Sequence, residues 1–226
     1  MNKKYFNWIM QNIRVKICCI SSRDEAELAI KYGAAAIGLV GNMPSGPGVI
    51  EDDLIKEIAK SVPPPISTFL LTSETEADAI IHHHKKVNTS TIQIVDALNS
   101  RLYDKIRINL PFVKLVQVIH VIDEKSIIEA VEISQHVDAI LLDSGNPNLE
   151  TKVLGGTGLT HNWEISKKIR ESIDIPIFLA GGINKNNVRE AIDSVQPFGI
   201  DLCSSVRSNG KLDEKKLEEF FNAVYK

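Results

Sequence analysis

Short runs rich in valine, isoleucine and leucine alternate with amphipathic segments along this chain, and this alternation limits the folds open to it. The apolar runs lack a polar residue at every second position, as expected of strands that are buried on both faces. The amphipathic segments have the periodicity of helices packed on one side. Eight such units predict a (β/α)₈ barrel. The predicted strands are 15–20, 35–40, 66–71, 91–95, 113–119, 137–142, 175–180 and 198–203, and the predicted helices are 23–32, 51–60, 74–85, 97–107, 124–134, 162–172, 186–194 and 213–225.

A single domain over residues 14–226 accommodates all eight units, with residues 1–13 as an N-terminal extension. A length of 226 residues is common for one α/β barrel. The alternative architecture is an open doubly wound sheet. No G-x-G-x-x-G motif follows the first predicted strand, which argues against that alternative.

Composition narrows the classes of function. The net charge is −3, and no long block of like charge indicates a nucleic-acid or membrane surface. No apolar run reaches the ~18 residues of a membrane span, and the first twenty residues do not resemble a signal peptide. The chain has three cysteines, and this odd number argues against a framework of structural disulfides. We therefore expect a cytoplasmic protein in a reducing compartment.

Two predicted strands end on reactive side chains, Cys18 and Asp143. In a parallel barrel both strand ends open on the same mouth, so the pair could serve as base and acid. Lys16 precedes Cys18 by two residues and points the same way, and its charge favours a thiolate. Cys18 could instead be a small buried apolar residue, and Asp143 could begin an Asx turn. Cys19 is expected to face the helices and to pack there.

Lys16 requires a partner if it points into the barrel. Asp201 lies on the predicted eighth strand, which closes the barrel against the first strand. We predict a buried Lys16–Asp201 pair, because an unpaired buried charge is strongly destabilising. The alternative is that Asp201 caps a helix or faces solvent.

The loops after the seventh and eighth strands are typical of a phosphate site. Gly181 and Gly182 permit close approach of the backbone to an anion, and Ser204 and Ser205 add hydroxyl donors. The glycines of residues 155–158 form either a lid or a plain loop, and Asn162 is expected to cap the helix that follows.

The histidines give no clear metal site. Consecutive helical residues point about 100° apart, so His82, His83 and His84 cannot converge on one ion, and we expect a solvated helix face. His120, near the end of the fifth strand, is either a ligand or a structural histidine. No spacing typical of zinc or calcium ligands is present.

Taken in order, several motifs resemble those of the phosphoribosylanthranilate isomerase family. They are Lys16-Ile17-Cys18, Leu141-Leu142-Asp143, Gly155-Gly156-Thr157-Gly158, Asn162-Trp163, Gly181-Gly182-Ile183-Asn184 and Asp201-Leu202-Cys203-Ser204-Ser205. The resemblance implies a (β/α)₈ barrel that converts a phosphoribosyl aldosamine to a 1-amino-1-deoxyketose phosphate without a cofactor or a metal. It also implies Cys18 as general base and Asp143 as general acid.

The resemblance implies a substrate site around these two residues. Gly156 joins the phosphate-binding glycines and serines, and Gln93 and His120 belong to the substrate pocket. The expected partner is a small phosphosugar, with no nucleic acid or membrane, and the protein is expected to be a monomer or a homodimer.

The sequence departs from the family pattern at three places, although the expected acid, base and phosphate-binding residues are kept. Cys19 stands where the family usually has glycine, residues 45–50 lack the usual arginine, and Val95 replaces a histidine after the fourth strand. These departures suggest a paralogue that acts on a different N-substituted phosphosugar, or a catalytically silent phosphosugar-binding protein. A metal-dependent phosphosugar epimerase is a third hypothesis, which the missing ligand cluster disfavours.

Overall fold

Eight parallel strands form a closed barrel in the computed structural model, which describes residues 13–44, 46–144 and 162–225. Each strand pairs with its neighbours in chain order, and β8 closes against β1. The strands are β1 (Arg14–Ile17), β2 (Ala36–Val40), β3 (Ser67–Thr72), β4 (Thr91–Ile94), β5 (Lys114–His120), β6 (Ala139–Asp143), β7 (Ile177–Leu179) and β8 (Gly199–Leu202). The predicted barrel is confirmed.

The helices of the described residues surround the barrel. They are α1 (Arg23–Lys31), α2 (Asp52–Ser61), α3 (Ala77–Val87), α4 (Ser100–Asn109), α5 (Lys125–Ile133), α6 (Trp163–Ser172), α7 (Val188–Val195) and α8 (Glu214–Tyr225). A 3₁₀ turn, Ser204–Val206, follows β8 and leads into a hairpin of β9 (Arg207–Ser208) and β10 (Lys211–Leu212). None of the helices in the part of the chain that the structure describes has the length and apolar character needed to cross a bilayer.

Side chains along each strand point alternately into the barrel and towards the helices, so the buried side chains form two layers. One set of side chains fills the barrel, where the rings of Phe69 and Phe178 meet edge to face at 5.9 Å. The other set packs against the apolar faces of the helices, as Ile55 and Ile58 of α2 show by being fully buried. The two layers hold the carboxyl ends of all eight strands at one rim.

Polar side chains fix where several helices begin. The Ser22 side chain accepts a hydrogen bond from the Glu25 N–H at the start of α1. The Asn162 side chain accepts one from the Glu164 N–H and begins α6, where the sequence predicted a cap. Such caps satisfy N–H groups that have no partner within the helix.

The first strand is shorter than predicted. It ends at Ile17, because Cys19 has φ +61°, in the left-handed region, and turns the chain out of the ladder. Residues 1–12, which make up nearly all of the predicted extension, lie outside the described residues, as does the glycine loop 155–158.

The solvated helix face predicted for the three consecutive histidines of α3 is wrong for two of them. His83 Nε2 lies 3.0 Å from Asp52 Oδ1, and His84 Nε2 lies 2.7 Å from the carbonyl oxygen of Thr89. Both rings are buried and tie α3 to neighbouring segments, whereas His82 is exposed.

Candidate active site

A cavity of about 320 Å³ opens at the carboxyl ends of the strands. Its lining has three parts. The reactive floor carries Cys18 and Asp143, and the polar corner is formed by Gly181, Gly182, Ser204 and Ser205. The apolar end is formed by Val40, Met43, Pro47, Leu71, Val95 and Val118. The lining residues used below are Cys18, Cys19, Val40, Met43, Pro47, Leu71, Gln93, Val95, Val118, Leu141, Asp143, Gly181, Gly182, Asp201, Cys203, Ser204 and Ser205.

Cys18 lies directly after β1 with its side chain in this cavity. Its N–H donates to the carbonyl of Leu202 at 2.7 Å, which ties the residue to the end of β8. Gly38 on β2 leaves room for the sulfur, since a Cβ there would come within 2.8 Å of Sγ. The backbone of two neighbouring strands therefore positions the thiol.

Lys16 and Asp201 form an ion pair one layer below Cys18. Lys16 Nζ donates to Asp201 Oδ1 at 2.8 Å, and the lysine side chain is fully buried. Burial alone would lower the pKa of Lys16, but the charge of Asp201, followed by that of Cys18, raises it. The ammonium thus stays charged beneath the cavity floor.

Asp143 ends β6 and lies across the cavity floor, nine-tenths buried. Burial raises the pKa of its carboxyl from 3.8 to about 6, opposed by a hydrogen bond from the Ser144 N–H at 2.7 Å. Asp201 raises the pKa further, and Lys16 lowers it. The carboxyl therefore stays protonated to a higher pH than an ordinary aspartate.

The raised pKa of Asp143 predicts a measurable cost to stability. The folded state favours the protonated carboxyl of Asp143. The stability that this preference contributes is fully present below the pKa of the unfolded chain, near 4, and is lost as the pH rises through the folded pKa of about 6. Relative to Asp143→Asn, the native chain is expected to lose about 2–3 kcal/mol of unfolding free energy between pH 4 and 6 and no more above that. Urea unfolding across this range measures it.

Asp104→Asn provides the matched control for that titration, because Asp104 is exposed on α4. As an exposed substitution, it should change the free energy of unfolding by under about 0.5 kcal/mol. A difference between Asp143→Asn and the native chain that stays flat with pH would show that Asp143 titrates normally.

The polar corner joins the loops after β7 and β8. Gly181 and Gly182 both have positive φ, at +79° and +65°, and a Cβ on Gly181 would come within 2.7 Å of Ser144 Oγ. The side-chain amides of Asn184 and Asn187 donate to the Gly182 carbonyl and fix the loop. Ser204 and Ser205 begin the 3₁₀ turn beside it. The third predicted glycine of this site, Gly156, lies outside the described residues.

The opposite end of the cavity is apolar. Its walls include Val40, Met43, Pro47, Leu71, Val95 and Val118. Gln93 brings a polar group there, and its buried Oε1 has no hydrogen-bond partner within the described part of the chain. None of the described residues that line the cavity is a lysine or an arginine.

His120, which the resemblance placed in the pocket, lies outside this lining. Strand β5 continues two residues past Val118, the last of its residues on the cavity wall, and ends beside Asp143 of β6. The His120 carbonyl accepts from Ser126 Oγ near the start of α5. Both ring nitrogens are buried and have no hydrogen-bond partner among the described residues, and burial lowers the pKa of the imidazole.

Cys19 does not pack against the helices as predicted. The left-handed turn directs its side chain into the cavity, where its Sγ lies 2.9 Å from Cys203 Sγ. The alternation of an extended strand does not continue through this turn, which is why the predicted direction was wrong.

Arg207 has a largely buried side chain, and the sequence pattern assigned this residue no role. Its guanidinium donates to the carbonyls of Cys18 and Cys19 and pairs with Glu25 of α1 at 3.0 Å. Glu25 also accepts from the N–H groups of Ser21 and Leu212. The pair therefore holds the segment that carries Cys18 against the hairpin after β8. The partners are 182 positions apart in the sequence, which explains why no local motif revealed the pair.

Neutralising one member of this pair is expected to destabilise the fold. Glu25→Gln leaves the Arg207 charge without its partner and should reduce the free energy of unfolding by about 2–3 kcal/mol. Glu27→Gln on the exposed side of the same helix should change it by under about 0.5 kcal/mol. Urea denaturation of both variants tests this, and equal midpoints would refute a structural role for the pair.

Comparison with known proteins agrees with this geometry. The family model for N-(5'-phosphoribosyl)anthranilate (PRA) isomerase matches residues 15–223. The chain belongs to this family. It is 34% identical over 229 residues to the N-(5'-phosphoribosyl)anthranilate isomerase of Methanocaldococcus jannaschii, covering 95% of this chain and 97% of that protein. It is 32% identical over 224 residues to that of Methanosarcina acetivorans, covering 93% and 92%.

Solved structures support the same assignment. The phosphoribosyl anthranilate isomerase of Thermotoga maritima superposes with a TM-score of 0.81 at 27% identity, covering 94% of this chain and 98% of that one. A further family structure, in complex with reduced 1-(o-carboxyphenylamino)-1-deoxyribulose 5-phosphate, gives 0.79 at 25% identity with the same coverage. The prediction of an isomerase resembling this family is confirmed, and the silent or divergent paralogue is not favoured.

Proposed function

We propose that this chain catalyses the Amadori rearrangement of N-(5'-phosphoribosyl)anthranilate to 1-(o-carboxyphenylamino)-1-deoxyribulose 5-phosphate. The observation that carries the proposal is the position of Cys18 and Asp143 on one cavity floor, beside a corner built from Gly181, Gly182, Ser204 and Ser205. The names of the family members and the ligand in the related structure support the substrate.

Asp143 acts first, as general acid. Its carboxyl protonates the ring oxygen of the ribose, and the ring opens to a Schiff base between C1 and the anthranilate nitrogen. Because burial raises the pKa of this carboxyl to about 6, it can donate a proton nearer neutral pH than an ordinary aspartate can. A proton transfer of this kind contributes ~10²–10⁴-fold to the rate.

Cys18 acts next, as general base. Its thiolate removes the proton from C2, and the electrons move to form an enolamine. The enolamine then takes up a proton at C1 and loses the proton of its C2 hydroxyl to solvent, which gives the ketone. The Lys16 ammonium lies one layer below the part of the cavity floor that carries this sulfur. The Asp201 carboxylate holds that ammonium in place.

The phosphate anchors the substrate away from the reacting carbons. The N–H groups of the glycine loop and the hydroxyls of the 3₁₀ turn provide neutral donors for a dianion. Binding energy at this remote group orients C1 and C2 between base and acid. The apolar end, with Val40, Met43 and Leu71, receives the anthranilate ring, and Gln93 offers its side-chain amide to the polar substituent.

The proposal is tested by supplying purified chain with N-(5'-phosphoribosyl)anthranilate and following product by mass spectrometry. The native chain should convert the substrate. Asp143→Asn should lose turnover but should still bind the reduced product analogue, which is the reduced 1-(o-carboxyphenylamino)-1-deoxyribulose 5-phosphate of the related structure. The surface variant Asp104→Asn should match the native rate. Binding of the analogue by the native chain without any turnover would overturn the proposal and identify a phosphosugar-binding protein.

A further inference from the structure

Two cysteines outside the proposed acid–base pair meet at the cavity wall. Cys19 Sγ and Cys203 Sγ lie 2.9 Å apart, although the two cysteines are 184 positions apart in the chain. Both side chains line the cavity, and Cys203 is partly exposed to it. The proposed mechanism uses neither sulfur.

The backbone holds this pair together from both sides. Cys19 sits in the left-handed turn after β1, where its carbonyl accepts a 2.6 Å hydrogen bond from Arg207. Cys203 directly follows β8, the strand that closes against β1. Because neighbouring barrel strands carry the two thiols, their proximity is built into the fold.

The two thiols differ in their surroundings. The hydrogen bond with Cys19 lowers the pKa of Cys203, burial opposes this, and the charge of Arg207 lowers it further. Hydrogen bonds to Cys18 and Cys203, together with burial, raise the pKa of Cys19. Of the other charged groups that act on Cys203, Asp201 opposes its ionisation and Lys16 favours it. Cys203 is therefore the more nucleophilic partner near neutral pH.

We propose that Cys19 and Cys203 are a modification site for low-molecular-weight disulfides, at which they form a reversible disulfide across the wall of the substrate cavity. The Cys203 thiolate attacks one sulfur of the small disulfide, forms a mixed disulfide and releases one small thiolate. Cys19 then loses its proton to solvent and attacks the Cys203 sulfur, releasing the second. The protein gives up two hydrogens with their electrons, and the small disulfide is reduced to two thiols.

The disulfide affects both the segment that carries the general base and the turn of the phosphate site. Cys19 is the direct neighbour of Cys18, and Cys203 is the direct neighbour of Ser204. A disulfide brings two sulfurs to about 2.05 Å, closer than their present separation. Oxidation therefore shifts the base and the phosphate turn relative to each other. Its effect on turnover rests on the proposed function, whereas formation of the disulfide does not.

The chemical step is tested on the full-length protein with oxidised glutathione, without any activity assay. Intact mass should show the loss of two hydrogens in the native chain and in Cys18→Ser, and dithiothreitol should restore both. Cys19→Ser and Cys203→Ser should each stop short of the internal disulfide, and Cys19→Ser should accumulate glutathione on Cys203. An internal disulfide that persists in Cys19→Ser or in Cys203→Ser would overturn the assignment, as would its absence from Cys18→Ser.

The consequence for turnover is tested by comparing each protein with itself before and after oxidation. The native chain should lose at least about tenfold in kcat/KM and regain it with dithiothreitol, whereas Cys203→Ser should lose far less under the same treatment. An oxidised native chain with unchanged kcat/KM would overturn the inference. A reduced chain without turnover would instead count against the proposed function, and the mass measurement would still stand.

Discussion

Cys18→Ala is expected to reduce kcat by ~10²–10⁴-fold while leaving the affinity for the reduced product analogue within about a factor of three. The sulfur is the only group proposed to remove the C2 proton, so its loss removes an interaction made in the transition state. The phosphate corner and the apolar end are untouched by the change. Steady-state kinetics and calorimetric binding of the analogue measure the two quantities separately.

Two comparisons make that expectation sharp. Cys18→Ser keeps the size and polarity of the side chain but offers a far weaker base, so it should be nearly as inactive as Cys18→Ala. Cys203→Ser changes a neighbouring sulfur of the same cavity and should retain much more of the native kcat. A Cys18→Ala enzyme within about tenfold of native turnover would remove the thiolate from the mechanism.

Lys16→Met is expected to destabilise the fold by about 3–5 kcal/mol. Methionine fills nearly the same volume, so little packing is lost against the Phe69 ring, which lies 5.2 Å from Nζ. The change instead leaves the Asp201 carboxylate buried without its cation. Urea unfolding at neutral pH, with the slope checked for two-state behaviour, measures the loss.

The double variant separates the cost of an unpaired charge from the cost of packing. Lys16→Met combined with Asp201→Val removes both charges and should recover most of the stability lost in Lys16→Met. Lys56→Met on the exposed side of α2 is the matched control and should change stability by under about 0.5 kcal/mol. Equal losses in Lys16→Met and in the double variant would show that packing, and not an uncompensated charge, is responsible.

Repeated local patterns made the barrel predictable. The eight apolar runs, each followed by an amphipathic segment, define β1 to β8 to within a few residues, because burial on both faces and helix periodicity are local properties. Closure of the barrel then brings Lys16 beside Asp201 and opens Cys18 and Asp143 on one cavity. These juxtapositions follow from strand order alone.

Features that depend on a single backbone dihedral or on distant partners were not predictable. The left-handed turn at Cys19 reverses the expected direction of that side chain. The Arg207–Glu25 pair and the burial of His83 against Asp52 join segments with no common motif. His120 has the inward alternation of its strand but lies beyond the cavity wall. Tertiary packing, not local pattern, decides such cases.

A crystal structure with the reduced product analogue tests the central claim most directly. The account predicts its phosphate on the loops of Gly181, Gly182, Ser204 and Ser205, with the Cys18 sulfur and an Asp143 oxygen each within about 3.5 Å of the reacting part of the sugar. An analogue bound with its phosphate elsewhere, or with either side chain out of reach of the sugar, would contradict it.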